Sequence, residues 1–193
     1  SLFGNLYGDK IVDQKIYNTY LAWPRRYLTF PEQGSPVLDE PGYNSFMKQV
    51  AEINYGRKKE VAAMSELTIR FGMRQMSEYA NVVSGMLKDG IIDSTAKGAG
   101  QLYFYAYNVD RFGDGEKKAL KAALEWTRII AQDIPEVTAK NKAMYLELYA
   151  TLLEKNDQPR LAKKVRKEVD KQKLAQSKKE MPFQPLMIMP KQK

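Results

Sequence analysis

What most constrains this chain is the spacing of its apolar residues, which recur three and four positions apart wherever a pattern can be read. No segment keeps a sustained period of two with β-branched enrichment, so the spacing predicts an all-α protein. Tyr17, Tyr20, Trp23 and Tyr27 follow at steps of three, three and four along one helix face that starts near Lys10. Pro24 predicts the end of that helix, or a kink, near Ala22 or Trp23. Pro31, Gly34, Pro36, Pro41 and Gly42 make 31–42 the longest expected loop. Helical spacing resumes from Tyr43 to about Lys88, through Phe46, Val50 and Ile53 and then Met64, Leu67 and Phe71, with Gly56 and Gly72 as punctuation.

Asp93 or Ser94 is placed to cap a helix carrying Leu102, Tyr103, Ala106, Tyr107 and Val109, which Gly113-Asp114-Gly115 would end. Asp114 or Gly115 would open the following helix, with Ala119, Ala123, Trp126 and Ile130 on its inner face and Pro135 just beyond its end. A second pair repeats the design, with stripes of Tyr145, Leu148, Tyr149 and Leu152, then Leu161, Val165 and Val169, joined through Asn156-Asp157-Gln158-Pro159. Two such pairs about 40 residues apart predict an array of antiparallel helix hairpins, tetratricopeptide-like and wound as a right-handed superhelix, although a strict 34-residue consensus is not met. Periodicity is lost from Ser177, where Met181 to Pro190 includes three prolines in ten residues. The expected organisation is a single helical domain over 1–176 and a basic, proline-interrupted extended tail over 177–193.

Cysteine and histidine are both absent. That excludes disulfides, thiolate nucleophiles, Cys/His zinc sites and the side chain most used as a general base near neutral pH. No cofactor or metal site is implied. The first 154 residues carry 19 basic and 19 acidic side chains, whereas the last 39 carry 12 and 4, so the whole net charge of +8 lies at the C-terminal end. A partner drawn by charge would find that end. No apolar run approaches the roughly 18 residues of a membrane span, and Ser1 to Gly8 does not read as a signal peptide, so a soluble chain is expected. The first residue is Ser1 rather than Met, which fits a processed precursor or a trimmed chain.

Each motif has a plain reading beside a functional one. The Tyr17–Tyr27 stripe reads first as core; with Arg25 and Arg26 beside Trp23 it also reads as a platform for a sugar ring or peptide. Tyr103, Tyr105 and Tyr107 cannot all be equally buried, because alternate residues on a helix point to different faces. At least one hydroxyl is therefore expected at solvent or in a groove. Asp110-Arg111-Phe112-Gly113-Asp114-Gly115 starts like a calcium loop, but Phe112 and Lys121 fall where oxygen ligands are required, which favours a turn. Gly98-Ala99-Gly100 lacks the glycine spacing and the Lys-Ser/Thr of a phosphate loop. Nothing in the order of residues pairs Asp39 with Glu40, or Glu60 with Glu66, as an acid–base couple. Lys163, Lys164, Arg166, Lys167 and Lys171, followed by Lys173, Lys178 and Lys179, read as a solvated helix face or as a phosphate-binding run. The uncharged stretch around Leu186 to Met189 would either dock on the domain or bind a partner in extended form.

Tyr105-Ala106-Tyr107, then Leu120-Lys121-Ala122-Ala123-Leu124-Glu125-Trp126, then Tyr149-Ala150-Thr151-Leu152-Leu153-Glu154-Lys155 resembles the helical region that follows the thioredoxin domain in bacterial thioredoxin-family proteins. Leu6-Tyr7-Gly8-Asp9-Lys10-Ile11-Val12 resembles the start of that region. The likeness runs in order through most of 1–176, and its specific part is about fifty residues of common helix formers. It implies a tetratricopeptide-like accessory region, commonly exported, attached to a redox domain. These 193 residues hold neither a thioredoxin domain nor a Cys-x-x-Cys pair, so no catalytic residue carries over.

The expected function is therefore a non-catalytic protein–protein interaction or scaffold domain with a protein or peptide partner, for which Trp23, Arg25, Arg26, Tyr103, Tyr105 and Tyr107 are candidates. The alternative is a binder of nucleic acid or anionic surfaces through Lys163, Lys164, Arg166, Lys167 and Lys171. A third class, an enzyme working with carboxylates alone, would require clustered acids in a deep pocket.

Overall fold

The computed structural model describes residues 8–134 and 139–180, excepting the side chains of 139–140 and 175–180. It is an all-α protein. Helix α1 (Asp9–Ala22) stops where Pro24 forces a break, and a 3-10 turn (Pro24–Tyr27) follows. Strands β1 (Leu28–Thr29) and β2 (Val37–Leu38) pair antiparallel, with Leu28 opposite Leu38. The expected 31–42 loop is accordingly shorter. Helix α2 (Glu40–Glu52) already includes Pro41 and Gly42, because proline is tolerated in a first turn and the Asp39 carboxylate accepts from Gly42 N at 3.1 Å.

Helices α3 (Lys58–Gly72) and α4 (Met76–Lys88) form the first hairpin, α5 (Ala96–Phe112) and α6 (Lys117–Arg128) the second, and α7 (Ala139–Lys155) and α8 (Pro159–Glu180) the third. A five-residue π-helical turn, Ile129–Asp133, extends α6. The cap of α5 is Thr95, one residue beyond the predicted positions, with its hydroxyl facing Lys97 N. Helix α6 is preceded by Glu116, and α8 continues to Glu180, past the expected boundary at Ser177. The remaining tail residues, 181–193, lie outside the described residues.

Each hairpin turn contains one residue in the left-handed region: Arg74 (φ 60°), Gly115 (φ 83°) and Asp157 (φ 60°), placed 41 and 42 residues apart. Contacts between hairpins keep the same interval. Tyr105 Oη lies 3.5 Å from Met64 Sδ, Glu116 accepts from Met76 N, and Lys155 pairs with Asp114, at separations of 41, 40 and 41 residues. The period of about 40 seen in the sequence is thus a period of turns and contacts, and it begins one hairpin earlier than the sequence pattern indicates.

Two apolar clusters hold the molecule. The larger runs through α4, α5, α6, α7 and α8 around Met76, Val83, Leu102, Trp126, Ile130 and Leu152. The smaller joins α1, the 3-10 turn and α2 to α3 around Tyr17, Phe46, Val50 and Ile69. Helix α3 serves both, giving Leu67 to one and Val61 and Ile69 to the other. On α8 the buried face is Ala162, Val165 and Val169; Leu161, expected in that stripe, is 40% exposed, because Ala162 lies one residue closer to the α7 side.

Candidate functional site

The three tyrosines of α5 divide between two faces. Tyr105 shares its face with Leu102, Ala106 and Val109 and is 3% exposed, edge-on to Tyr79 at 6.2 Å, with Gln101 Nε2 donating to its hydroxyl at 2.8 Å. It is core, which removes it from the partner-binding candidates. Tyr103 and Tyr107, one helical turn apart, stack at 6.2 Å with 22° between their planes and face α7 and α8. There they line an open groove of about 430 Å³ with Met144, Leu148, Glu147 and Lys173. Tyr103 also packs on Tyr145 at 5.2 Å, while Tyr107 and Met144 remain 38% and 42% exposed.

Burial, and after it the neighbouring Tyr107 and Tyr145, pushes the Tyr103 phenol up, so it stays a neutral hydrogen-bond donor at physiological pH. Arg111 reaches over the outer edge, its guanidinium 5.5 Å from the Tyr107 ring centre and its Nε donating to the Tyr107 hydroxyl at 3.1 Å. Both groove carboxylates are matched. Glu147 accepts from Lys173 Nζ at 2.7 Å, and Asp110 Oδ1 lies 3.0 Å from Lys155 Nζ. Lys155 also holds Asp114 at 2.8 Å, so an ammonium group occupies the place where the calcium-loop reading would put a cation. Among the described residues, no group of three or more acidic side chains is arranged to hold a metal.

Trp23, Arg25 and Arg26 do not join this groove. Trp23 packs on Phe46 at 5.9 Å within the smaller cluster, Arg26 lies over its ring at 5.9 Å, and Arg25 is exposed. Tyr17 is buried in the same cluster, and Tyr20, Trp23 and Tyr27 pack against it half-buried, so the aromatic stripe lies at the edge of the core. Its carboxylate neighbours are paired with cations: Glu60 with Arg57 at 2.8 Å, and Glu66 with Arg70 at 2.8 Å.

The basic residues of α8 also divide. Arg166, named with the anion-binding residues, is committed to Glu154 at 2.7 Å and to Glu147 at 3.6 Å, because it projects toward α7 beside the buried stripe. Lys163, Lys164 and Lys167 are exposed and have no carboxylate within salt-bridge distance among the described residues, while Lys171 approaches Glu168 only at 3.9 Å. Sequence reasoning missed Met144, Glu147, Leu148 and Lys173 as groove residues. Leu148 was legible as core; Met144 sits one position before the Tyr145 stripe, where nothing local distinguishes a groove wall from solvent.

A second groove, of about 480 Å³, lies between α4 and α6 over Trp126, lined by Leu87, Ala122 and the side chains of Lys88, Lys121 and Glu125. Among the described residues, no helix is long and apolar enough to cross a membrane. The chain matches no family model, no curated protein and no solved structure.

Proposed function

We propose that this chain is a non-catalytic, tetratricopeptide-like interaction domain that holds an extended protein segment in the groove between α5, α7 and α8. The observation that carries this reading is the stacked pair of phenol rings at Tyr103 and Tyr107 beside the exposed Met144. Aromatic faces and a thioether suit an apolar or proline-bearing peptide, and the Lys173–Glu147 pair at the rim suits its backbone polar groups. The recurrence of turns and contacts at about 40 residues supports the helical-repeat reading. The sequence strings around Tyr105, Trp126 and Tyr149 support an origin as the accessory region of an exported thioredoxin-like protein. Matched carboxylates favour binding over hydrolysis, which needs an acid free to exchange its proton.

The test is site-specific crosslinking from a photoreactive residue at position 144, in parent and Tyr107→Ala backgrounds, with the same probe at the exposed position 97 as control. A partner captured from 144, weakened at least about tenfold by Tyr107→Ala and absent from 97, is expected for a hot-spot aromatic. Equal capture from both positions would sink the groove reading. A second reading, contact with an anionic partner through α8, is favoured by the exposed cations Lys163, Lys164 and Lys167.

A further inference from the structure

We propose that the outward face of α8 is a docking surface for an anionic lipid bilayer. The inference rests on the second reading above, and commits its partner. Helix α8 turns Ala162, Val165 and Val169 inward against α7. At 100° per residue, the opposite side carries Arg160, Lys164, Lys167 and Lys171 within about one-quarter of the helix circumference, with Lys163 on its flank. All five are exposed, and the acidic residues of the helix, Glu168 and Asp170, fall to either side of the row rather than within it. The helix's other cations Arg166 and Lys173 lie toward α7 and pair with Glu154 and Glu147 instead of joining the row. The row spans twelve residues, or about 17 Å at helical rise.

Charge complementarity asks for an anion; shape and sequence choose which. The row is the convex side of one helix already packed on its partner helix, which suits a flat surface. The face bears no Asn, Gln or aromatic side chain to read base edges or stack on bases. Its exposed neighbour is Leu174, 56% accessible. In sequence, the basic helix is followed by Met181-Pro182-Phe183-Gln184-Pro185-Leu186-Met187-Ile188-Met189-Pro190, ten residues without a charge. A polybasic row next to an uncharged apolar stretch is the two-signal combination that makes bilayer attachment stable, since either signal alone binds weakly.

The experiment is flotation of the whole chain with vesicles of phosphatidylcholine alone or mixed with phosphatidylglycerol, at low and high salt, with a mixed-sequence DNA duplex as a parallel ligand. Salt-sensitive binding to the mixed vesicles only is expected. The Lys163→Glu/Lys164→Glu/Lys167→Glu variant should lose about 100-fold, at roughly fivefold per cation. The Lys97→Glu/Lys117→Glu/Lys118→Glu variant changes net charge equally at exposed positions on α5 and α6 and should bind nearly as the parent. Phe183→Ser/Ile188→Ser should weaken binding to the mixed vesicles. Equal loss in both lysine variants would show a net-charge effect and overturn the proposal. Binding to DNA without binding to vesicles would overturn the bilayer and keep an anionic partner; binding to neither removes both. Circular dichroism of each variant separates loss of binding from loss of fold.

Discussion

Glu60 shows how one side chain can join distant segments. Its carboxylate accepts from Arg57 Nε at 2.8 Å and from Tyr17 Oη at 2.7 Å, while the same guanidinium reaches Asp13 at 3.2 Å and covers the Tyr17 ring at 3.5 Å. The Arg57 hydrogen bonds outweigh burial and hold the Glu60 carboxyl below its usual value of about 4.5. A group depressed in the folded state stabilises above its unfolded value, and that contribution is lost as pH falls through the folded one. Glu60→Gln is therefore expected to cost about 1 kcal/mol at neutral pH, and to flatten the decline in stability below about pH 4.5. Urea titrations of parent and variant across that range check both, and parallel pH profiles would refute the assignment. None of this was legible in order of residues: Arg57 and Glu60 are neighbours in sequence, but Asp13 and Tyr17 are not.

At the scale of elements, local chemistry set most boundaries and long-range chemistry supplied some of the caps. Helix α4 has no side-chain cap of its own; Glu116, 39 to 40 residues later, accepts from Met76 N at 3.2 Å and Ser77 N at 2.6 Å. Glycines within the helices differ by surroundings. A Cβ on Gly98 would run into the Asp93 carbonyl oxygen, whereas one on Gly85 or Gly100 would meet nothing within 4 Å. Gly98→Ala should destabilise by more than about 1 kcal/mol, while Gly85→Ala and Gly100→Ala should each stabilise by about 0.5–1 kcal/mol, as expected when helical backbone entropy is reduced without a clash. Thermal unfolding of the three variants decides; a stabilised Gly98→Ala would mean that the Thr95 cap region yields.

For the whole molecule, the division into two clusters predicts uneven stability. Helix α1 buries only Tyr17 and is tied to the rest through Asp13, whose carboxylate meets Arg57 and whose carbonyl oxygen accepts from Tyr55 Oη at 3.3 Å. Helices α6 and α7 lie in the larger cluster around Trp126 and Leu152. Native-state hydrogen exchange should find α1 opening at a lower free energy than α6 and α7, and Arg57→Met should lower protection in α1 alone. Uniform loss across all helices would instead indicate a single cooperative unit. The two proposed surfaces lie on opposite sides of the α7–α8 hairpin's second helix, since Lys173 faces the groove and Lys167 the outer row. A bound peptide and a bilayer could therefore be engaged together.

The all-α class, the stop at Pro24, the turn through Asn156–Pro159 and the interval of about 40 residues were determined by the sequence itself, because apolar period, proline geometry and turn residues act within a few positions. The same period required Tyr103, Tyr105 and Tyr107 to differ. Only the tertiary structure decided that Tyr105 is core and the other two form a groove, since that depends on where α7 and α8 pack. It also decided that Arg166 is ion-paired while Lys163, Lys164 and Lys167 have no carboxylate within salt-bridge distance among the described residues: burial and ion pairing are properties of neighbours in space, and the partner carboxylates of Arg166 belong to another helix.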